Sequence, residues 1–225
     1  MKKFMFAAAA SALAFAAMPA AAADWYAQVN AGYTVSGDAD VDASFTPDDT
    51  DFDPMSGSVG GDIDNGFLVG AAAGMAVGNG LRVEAEGVLG SNDMGDIEDL
   101  DLSGIEYKHA ALFANVLYDF PMGGVTPYIG AGIGYGSSTF DIDGDSVHDQ
   151  GTVWQIKAGA SFPVNDTLTV DIGYRYMEAA KWEASMDDVD IDDDPDAGPG
   201  TARLSVDPAV HALTVGARFK LGGGA

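Results

Sequence analysis

The sequence predicts an all-β protein: an eight-stranded antiparallel up-and-down transmembrane β-barrel with four long acidic extracellular loops. Three observations predict it. Eight segments of about ten residues alternate apolar and polar side chains with the two-residue period of a strand. Short turns and long acid-rich connections alternate between those segments. After the N-terminal segment there is no run of about 18 apolar residues that could cross a bilayer as a helix. Hydrocarbon offers backbone groups no water, so the only other permitted crossing is a closed barrel.

The N-terminal segment reads as an export signal. Lys2 and Lys3 supply positive charge, residues 4–17 are apolar, and Pro19 precedes Ala21-Ala22-Ala23, so residues 1–23 are expected to be cleaved before Asp24. The remainder, 24–225, has the length of a single all-β domain. Cysteine is absent, which excludes a disulfide framework and thiolate chemistry.

The first strand sets Trp25, Ala27, Val29, Ala31, Tyr33 and Val35 against Tyr26, Gln28, Asn30, Gly32 and Thr34. In the second, Phe67, Val69, Ala71, Ala73, Met75 and Val77 oppose Gly66, Leu68, Gly70, Ala72, Gly74 and Ala76, and Gly78-Asn79-Gly80 turns the chain. The third opposes Leu81, Val83, Ala85, Gly87 and Leu89 to Arg82, Glu84 and Glu86. The fourth opposes Ala110, Leu112, Ala114, Val116, Tyr118 and Phe120 to Phe113, Asn115 and Asp119, ahead of a turn at 121–124. The fifth alternates Ile129, Ala131, Ile133 and Tyr135 with glycines, and the sixth sets Trp154, Ile156, Ala158, Ala160 and Phe162 against Gln155, Lys157 and Gly159. After a turn at 163–167, the seventh sets Leu168, Val170, Ile172, Tyr174 and Tyr176 against Asp171, Gly173 and Arg175. The eighth sets Leu213, Val215, Ala217 and Phe219 against Thr214, Gly216 and Arg218. Eight strands enclose a bore just wide enough to be filled by side chains, so no open water channel is expected.

A soluble barrel, apolar inside, would show the same period. Two details favour the membrane version. Aromatic residues on the apolar face gather at strand ends: Trp25, Tyr118, Phe120, Phe162 and Phe219 near the short turns, and Tyr33, Phe67, Tyr135, Trp154, Tyr174 and Tyr176 near the long loops. Such double girdles sit where bilayer meets water. The polar face carries four cations, Arg82, Lys157, Arg175 and Arg218, and four carboxylates, Glu84, Glu86, Asp119 and Asp171. Isolated charges are costly to bury, but a balanced, hydrogen-bonded set is tolerable, so these eight are expected to plug the interior among glycines that leave them room.

The long connections, 36–64, 90–104, 137–151 and 178–207, hold 28 of the 35 acidic residues and only two cations, Lys181 and Arg203. The net charge of −25 therefore belongs to one rim. Such a rim repels nucleic acid and attracts cations and basic partners. Charge repulsion and low hydrophobicity predict mobility in the first and fourth connections. Outer-membrane barrels place short turns in the periplasm, which puts both chain ends there. One stretch, Asp141, Asp143 and Asp145 with Asp149, has the spacing that opens an EF-hand calcium loop. It lacks the turn glycine and the closing glutamate, so weak divalent-cation association, calcium included, is the expectation and no other cofactor is called for. The histidines, His109, His148 and His211, all fall near the acidic rim, and no GxSxG elbow accompanies them.

The run Val125-Thr126-Pro127-Tyr128-Ile129-Gly130-Ala131-Gly132-Ile133-Gly134-Tyr135 resembles the fifth strand of OmpA-like, opacity-type small outer-membrane barrels of the porin family. Leu81-Arg82-Val83-Glu84-Ala85-Glu86, Ile172-Gly173-Tyr174-Arg175-Tyr176 and Val215-Gly216-Ala217-Arg218-Phe219 resemble other strands of that family, in the same order. The resemblance implies a Gram-negative outer-membrane location, contact with lipid and lipopolysaccharide, and an interior charge network at Arg82, Glu84, Glu86, Lys157, Asp171, Arg175 and Arg218. It also implies insertion by the barrel-assembly machinery, whose usual signal is a terminal aromatic; here Lys220, Leu221 and residues 222–225 follow Phe219. The function expected is non-enzymatic: a surface protein with a structural, membrane-integrity role. A small porin-like pore and a rim-located lipid-modifying enzyme are the alternatives.

Overall fold

The structure, a computed structural model, describes residues 24–48, 53–94, 106–142, 145–178, 181–190 and 199–222. The export segment, 1–23, lies outside the described residues. The strands are β1 (Asp24–Pro47), β2 (Met55–Gly78), β3 (Leu81–Met94), β4 (Glu106–Asp119), β5 (Thr126–Ile142), β6 (Asp145–Pro163), β7 (Leu168–Glu178), β8 (Trp182–Asp190) and β9 (Pro199–Gly222). Neighbours pair antiparallel in chain order from β1 to β7, β7 pairs with β9, and β9 pairs back onto β1, so eight strands close a ring. Among the described residues β8 pairs as a strand only with β9 and lies outside that ring.

Closure carries a stagger. Ala27 pairs with Ala73, and the pairing continues through Ala85, Ala114, Ile133, Trp154, Glu178 and Ala209 to Asp38, which returns it to β1 eleven positions beyond its start. Strands staggered in this way are tilted to the barrel axis, as a narrow closed sheet requires. At the short-turn end, Gly78, Asn79 and Gly80 all have positive φ, as do Gly123 and Gly124, a backbone region closed to most side chains. In the third turn Asn165 Oδ1 accepts from the amides of Thr167 and Leu168, so that a side chain shapes the reversal.

Two of the expected loops prove to be wall. Residues 37–45 pair with 55–63 as well as with β9, and β8 falls within the connection 178–207, so the first and fourth connections are largely sheet where mobile loops were expected. The acids there are not distributed at random: Asp38, Asp40 and Asp42 alternate with Ala39, Val41 and Ala43, a strand period hidden within a strongly charged segment. The result is a four-stranded lip, in the order β2-β1-β9-β8, standing above the ring.

The two faces of the wall exchange polarity on the way up. Near the turns, β9 points Thr214, Gly216 and Arg218 into the bore and Leu213, Val215 and Phe219 outward; nearer the loops the same inward phase carries Ala212, Val210 and Pro208, all buried. In β1 the exchange comes with a bulge between Thr34 and Ser36, which leaves Val35 and Ser36 both exposed. Above it, Ala39 is fully buried while Asp38, Asp40 and Asp42 are exposed. The lower wall is therefore built for hydrocarbon outside, and the upper wall for water.

Candidate functional site

The bore holds two layers. The lower is ionic, and Glu86 is its hub. Its Oε1 accepts from Asn30 Nδ2 at 3.0 Å and Arg175 Nη2 at 2.5 Å; its Oε2 accepts from Asn115 Nδ2 and Gln155 Nε2, each at 2.9 Å, and from Lys157 Nζ at 3.2 Å. Donors on β1, β4, β6 and β7 thus meet one carboxylate on β3, and the bore is crossed. Glu84 Oε1 accepts from Tyr26 Oη at 2.7 Å and Arg82 Nη1 at 2.9 Å, while Lys157 Nζ lies 3.4 Å from its Oε2. Towards the turns, Arg82 grips Asp119 with Nε and Nη2 at 2.8 and 2.9 Å. Arg218 Nη2 donates to Ser161 Oγ at 3.1 Å and lies 3.5 Å from Asp171, to which Ser161 also donates. The Tyr26 ring lies between two guanidiniums, with Arg82 at 5.7 Å and Arg218 at 5.4 Å from its centroid.

All eight charges singled out in the sequence face the bore, and each has an opposite charge within reach. Sequence reasoning missed the neutral partners Tyr26, Asn30, Asn115, Gln155 and Ser161. Their signal was their place on the polar phase of their strands. Glycine makes the packing possible: a Cβ at Gly132 would fall 1.9 Å from Asn115 Oδ1.

The upper layer was also missed. Leu68, Val88, Phe113, Val153, Met177 and Tyr107 fill the bore above the charges, all fully buried. His109 is buried with them, its ring lying over Gly90 and 5.5 Å from Tyr107, and neither ring nitrogen has a hydrogen-bond partner among the described residues. Expected near the rim, it belongs to the interior of the barrel. His211 faces outward between Tyr174 and Tyr176; its Nδ1 bonds the Tyr174 hydroxyl and its Nε2 is 3.8 Å from Asp38. The side chain of His148 lies outside the described residues.

Of the girdle residues, Tyr33, Phe67, Tyr118, Phe120, Tyr135, Trp154, Phe162, Tyr174 and Phe219 are exposed on the outer wall, and Trp25 and Tyr176 are half-buried there. Trp154, Tyr176 and His211 form a continuous aromatic run across β6, β7 and β9. Asp141 and Asp145 lie on the backbone of the β5–β6 hairpin, with Asp141 opposite Ser146 and Asp149 opposite Ser138. Asp143 and the side chains of Asp141 and Asp145 lie outside the described residues, and Asp149 accepts from the amides of Gln150 and Glu183.

On the lip, the inward phase carries Phe45 and Ala43 of β1, Met55, Gly57 and Val59 of β2, Ala202 and Leu204 of β9, and Met186 of β8, in mutual register. Most of these line a cavity of about 550 Å³ with almost no polar surface. The outward phase carries the acids, with Lys181 Nζ bonded to Asp207 at 2.9 Å, a contact that raises the lysine pKa above its ordinary value.

A closed eight-stranded ring, apolar and girdled without, ionic within, defines a small transmembrane barrel with a filled bore. The family comparison agrees: residues 7–219 match the outer membrane protein beta-barrel domain, and the chain belongs to that family. It is an outer-membrane β-barrel of a Gram-negative cell, in contact with the lipid of that membrane. Among solved structures, Neisserial surface protein A (NspA) is 19% identical, with 88% of this chain and 97% of that one covered and a TM-score of 0.51. The outer membrane protein OprG from Pseudomonas aeruginosa is 18% identical, with 89% and 97% covered and a TM-score of 0.53. Both likenesses are of fold. A search of curated proteins found no match.

Proposed function

We propose that this protein is a non-conducting, non-enzymatic surface protein of the outer membrane, which holds an acidic lip outside the cell and contributes to membrane integrity. The observation that carries the reading is the crossed bore: five donors from four strands converge on Glu86, and an apolar layer lies directly above. A permeating ion would have to separate several buried ion pairs and then cross a closely packed, largely apolar layer, both at high cost in free energy. The proposal places the short turns and both chain ends in the periplasm, with assembly by the barrel-assembly machinery. The outward carboxylates then lie at the level where divalent cations bridge lipopolysaccharide headgroups, and would hold such ions loosely. For catalysis, His211 is tied to a tyrosine on the outer wall and His109 is enclosed in the bore.

Single-channel recording in planar bilayers tests the reading. The full-length protein is expected to give no stepwise conductance, and Arg175→Ala with Lys157→Ala is expected to introduce some. Steady unitary currents from the unaltered protein would establish a pore and overturn the proposal. Labelling of intact cells with a membrane-impermeant reagent at a cysteine placed in the lip (Ser58→Cys) tests orientation, for which protection from the reagent would place the lip inside.

A further inference from the structure

The lip ends in two edges of opposite character. The β8 edge carries Glu183 and Asp187 and a register shift between Met186 and Val189, the devices by which sheets block further pairing. The other edge is the upper part of β2, Met55 to Asp62, with the sequence Met-Ser-Gly-Ser-Val-Gly-Gly-Asp. Among the described residues it is bonded only to β1, because pairing with β3 begins at Ile63. It has one charge, no proline and no lysine. Its surroundings are open: a Cβ at Gly57 would meet nothing within 4 Å, and one at Gly60 only Asp40 Oδ1 at 3.9 Å.

The faces beside this edge are equally unlike. The inward face presents Met55, Val59, Leu204 and Met186, all exposed although they stand above the membrane-facing wall. Exposed apolar groups clustered in water mark a surface meant to be covered. The outward face presents Asp62 on the edge strand itself and Asp38, Asp40 and Asp42 on the next. Between them lie only Ser58 and Gly60, side chains too small to obstruct a longer one passing over them.

We propose that the β2 edge of the lip, unpaired beyond β1 among the described residues, is a docking site for an extended cationic segment that alternates apolar and basic residues and adds a strand to the sheet. Three requirements select this occupant. Unpaired backbone groups need a partner backbone; the apolar face needs apolar side chains at every second position; and the acidic face needs cations at the positions between. A hydrocarbon would satisfy only the second. A second copy of this chain would bring its own acids to the same face and be repelled. Basic side chains of the added strand would stand beside Asp62, and lysine or arginine could reach across β2 to Asp40 and Asp42, about 10 Å from the new strand. The inference rests on the lip standing outside the membrane. Because the assay uses purified protein, its failure leaves the conductance result unaffected.

The test uses the full chain in phosphatidylcholine nanodiscs and a fluorescent peptide of alternating valine and lysine, about eight residues long to match the edge, with empty nanodiscs as baseline. Saturable binding above baseline is expected. It should weaken roughly tenfold when the amides on one edge of the peptide are N-methylated, and again when lysine is replaced by glutamate. Val59→Lys should weaken it to a similar extent. Asp40→Asn with Asp42→Asn should flatten its salt dependence, since fewer ion pairs would be screened. Equal affinity for the N-methylated peptide would overturn the proposal, as would binding indifferent to peptide charge. Uptake of dodecane without peptide binding, or self-association of the protein in place of peptide binding, would overturn it too. The N-methylated peptide needs no variant, so the test survives if Val59→Lys fails to fold.

Discussion

Glu86→Gln is the most discriminating change available in the bore. The amide keeps the shape of the carboxylate but can accept at only one of its two positions. If the nitrogen replaces Oε2, the donors Asn115, Gln155 and Lys157 face another donor; if it replaces Oε1, Asn30 and Arg175 do. At least two of five hydrogen bonds are lost in either orientation, and those to a charged group are worth about 1.5–3 kcal/mol each. Arg175, 1% exposed and with Glu86 as its ion-pair partner, is also left without a counter-charge. Breaking a buried pair from one side costs about 3–5 kcal/mol, which agrees with the hydrogen-bond count. Urea unfolding of protein inserted in lipid vesicles, followed by tryptophan fluorescence and by the mobility of unheated samples on denaturing gels, measures the loss. Asp62→Asn on the exposed lip serves as control and should fall within about 0.5 kcal/mol of the parent. Adding Arg175→Met to Glu86→Gln should recover much of the loss, because removing both charges is far less costly than orphaning one. A loss below about 1 kcal/mol for the single change, or no recovery in the double, would refute the hub.

The apolar layer and the glycines give further tests by the same assay. Leu68→Ala, at a fully buried bore position, should cost about 2–5 kcal/mol, and Leu213→Ala, on the lipid face, clearly less; equal losses would mean the upper layer is not packed. Gly132→Ala should cost about 1–3 kcal/mol by driving Asn115 off Glu86 and Gln155, whereas Gly57→Ala, with open space around it, should be near neutral. Hydrogen exchange should find slow amides in residues 37–45 and 55–63, and exchange at the rate of an unstructured chain would rule out the paired lip.

The ring and its charges were legible because hydrocarbon enforces a strict rule. Every second residue of a crossing strand must suit lipid, so Val29, Val69, Ile133 and Leu213 announce the outward phase, and Arg82, Glu84 and Glu86, on the other phase, can only be inside. Neutral partners such as Gln155 and Asn115 share that phase, but their residue types do not say which carboxylate they serve. The lip was hidden for a different reason. Its acid content imitates a disordered segment, and composition outweighed the alternation of Asp38-Ala39-Asp40-Val41-Asp42. The upper layer was hidden because Leu68 and Phe113 were read by the rule of the lower wall, where the inward phase is polar. That rule lapses where the outer solvent changes.

That change of solvent makes the bulge in β1 a test of the whole scheme. Sidedness in a strand has period two, so a slip of one residue exchanges its faces. From Tyr26 to Thr34 the even-numbered residues face the bore; above the bulge Gly37, Ala39 and Phe45 do. Thr34 pairs with Ala212 of β9 and Ser36 with the adjacent His211, so Val35 is the residue β9 does not count. By contrast β2 keeps step across it, with Thr34 opposite Gly66 and Gly37 opposite Ile63. Deleting Val35 should therefore leave every other residue of β1 on its present face and in step with β9, moving 37–45 by one position against β2 only, and slow exchange should survive at the amides of 37–45 that bond to β9. Deleting Val41 should turn Asp42 and Ser44 inward and Ala43 and Phe45 outward, and abolish protection above that point while the ring below survives. If deletion of Val35 were as damaging as deletion of Val41, the register would not be what separates the two faces. The acidic upper wall would then need another explanation than a sheet refitted for water.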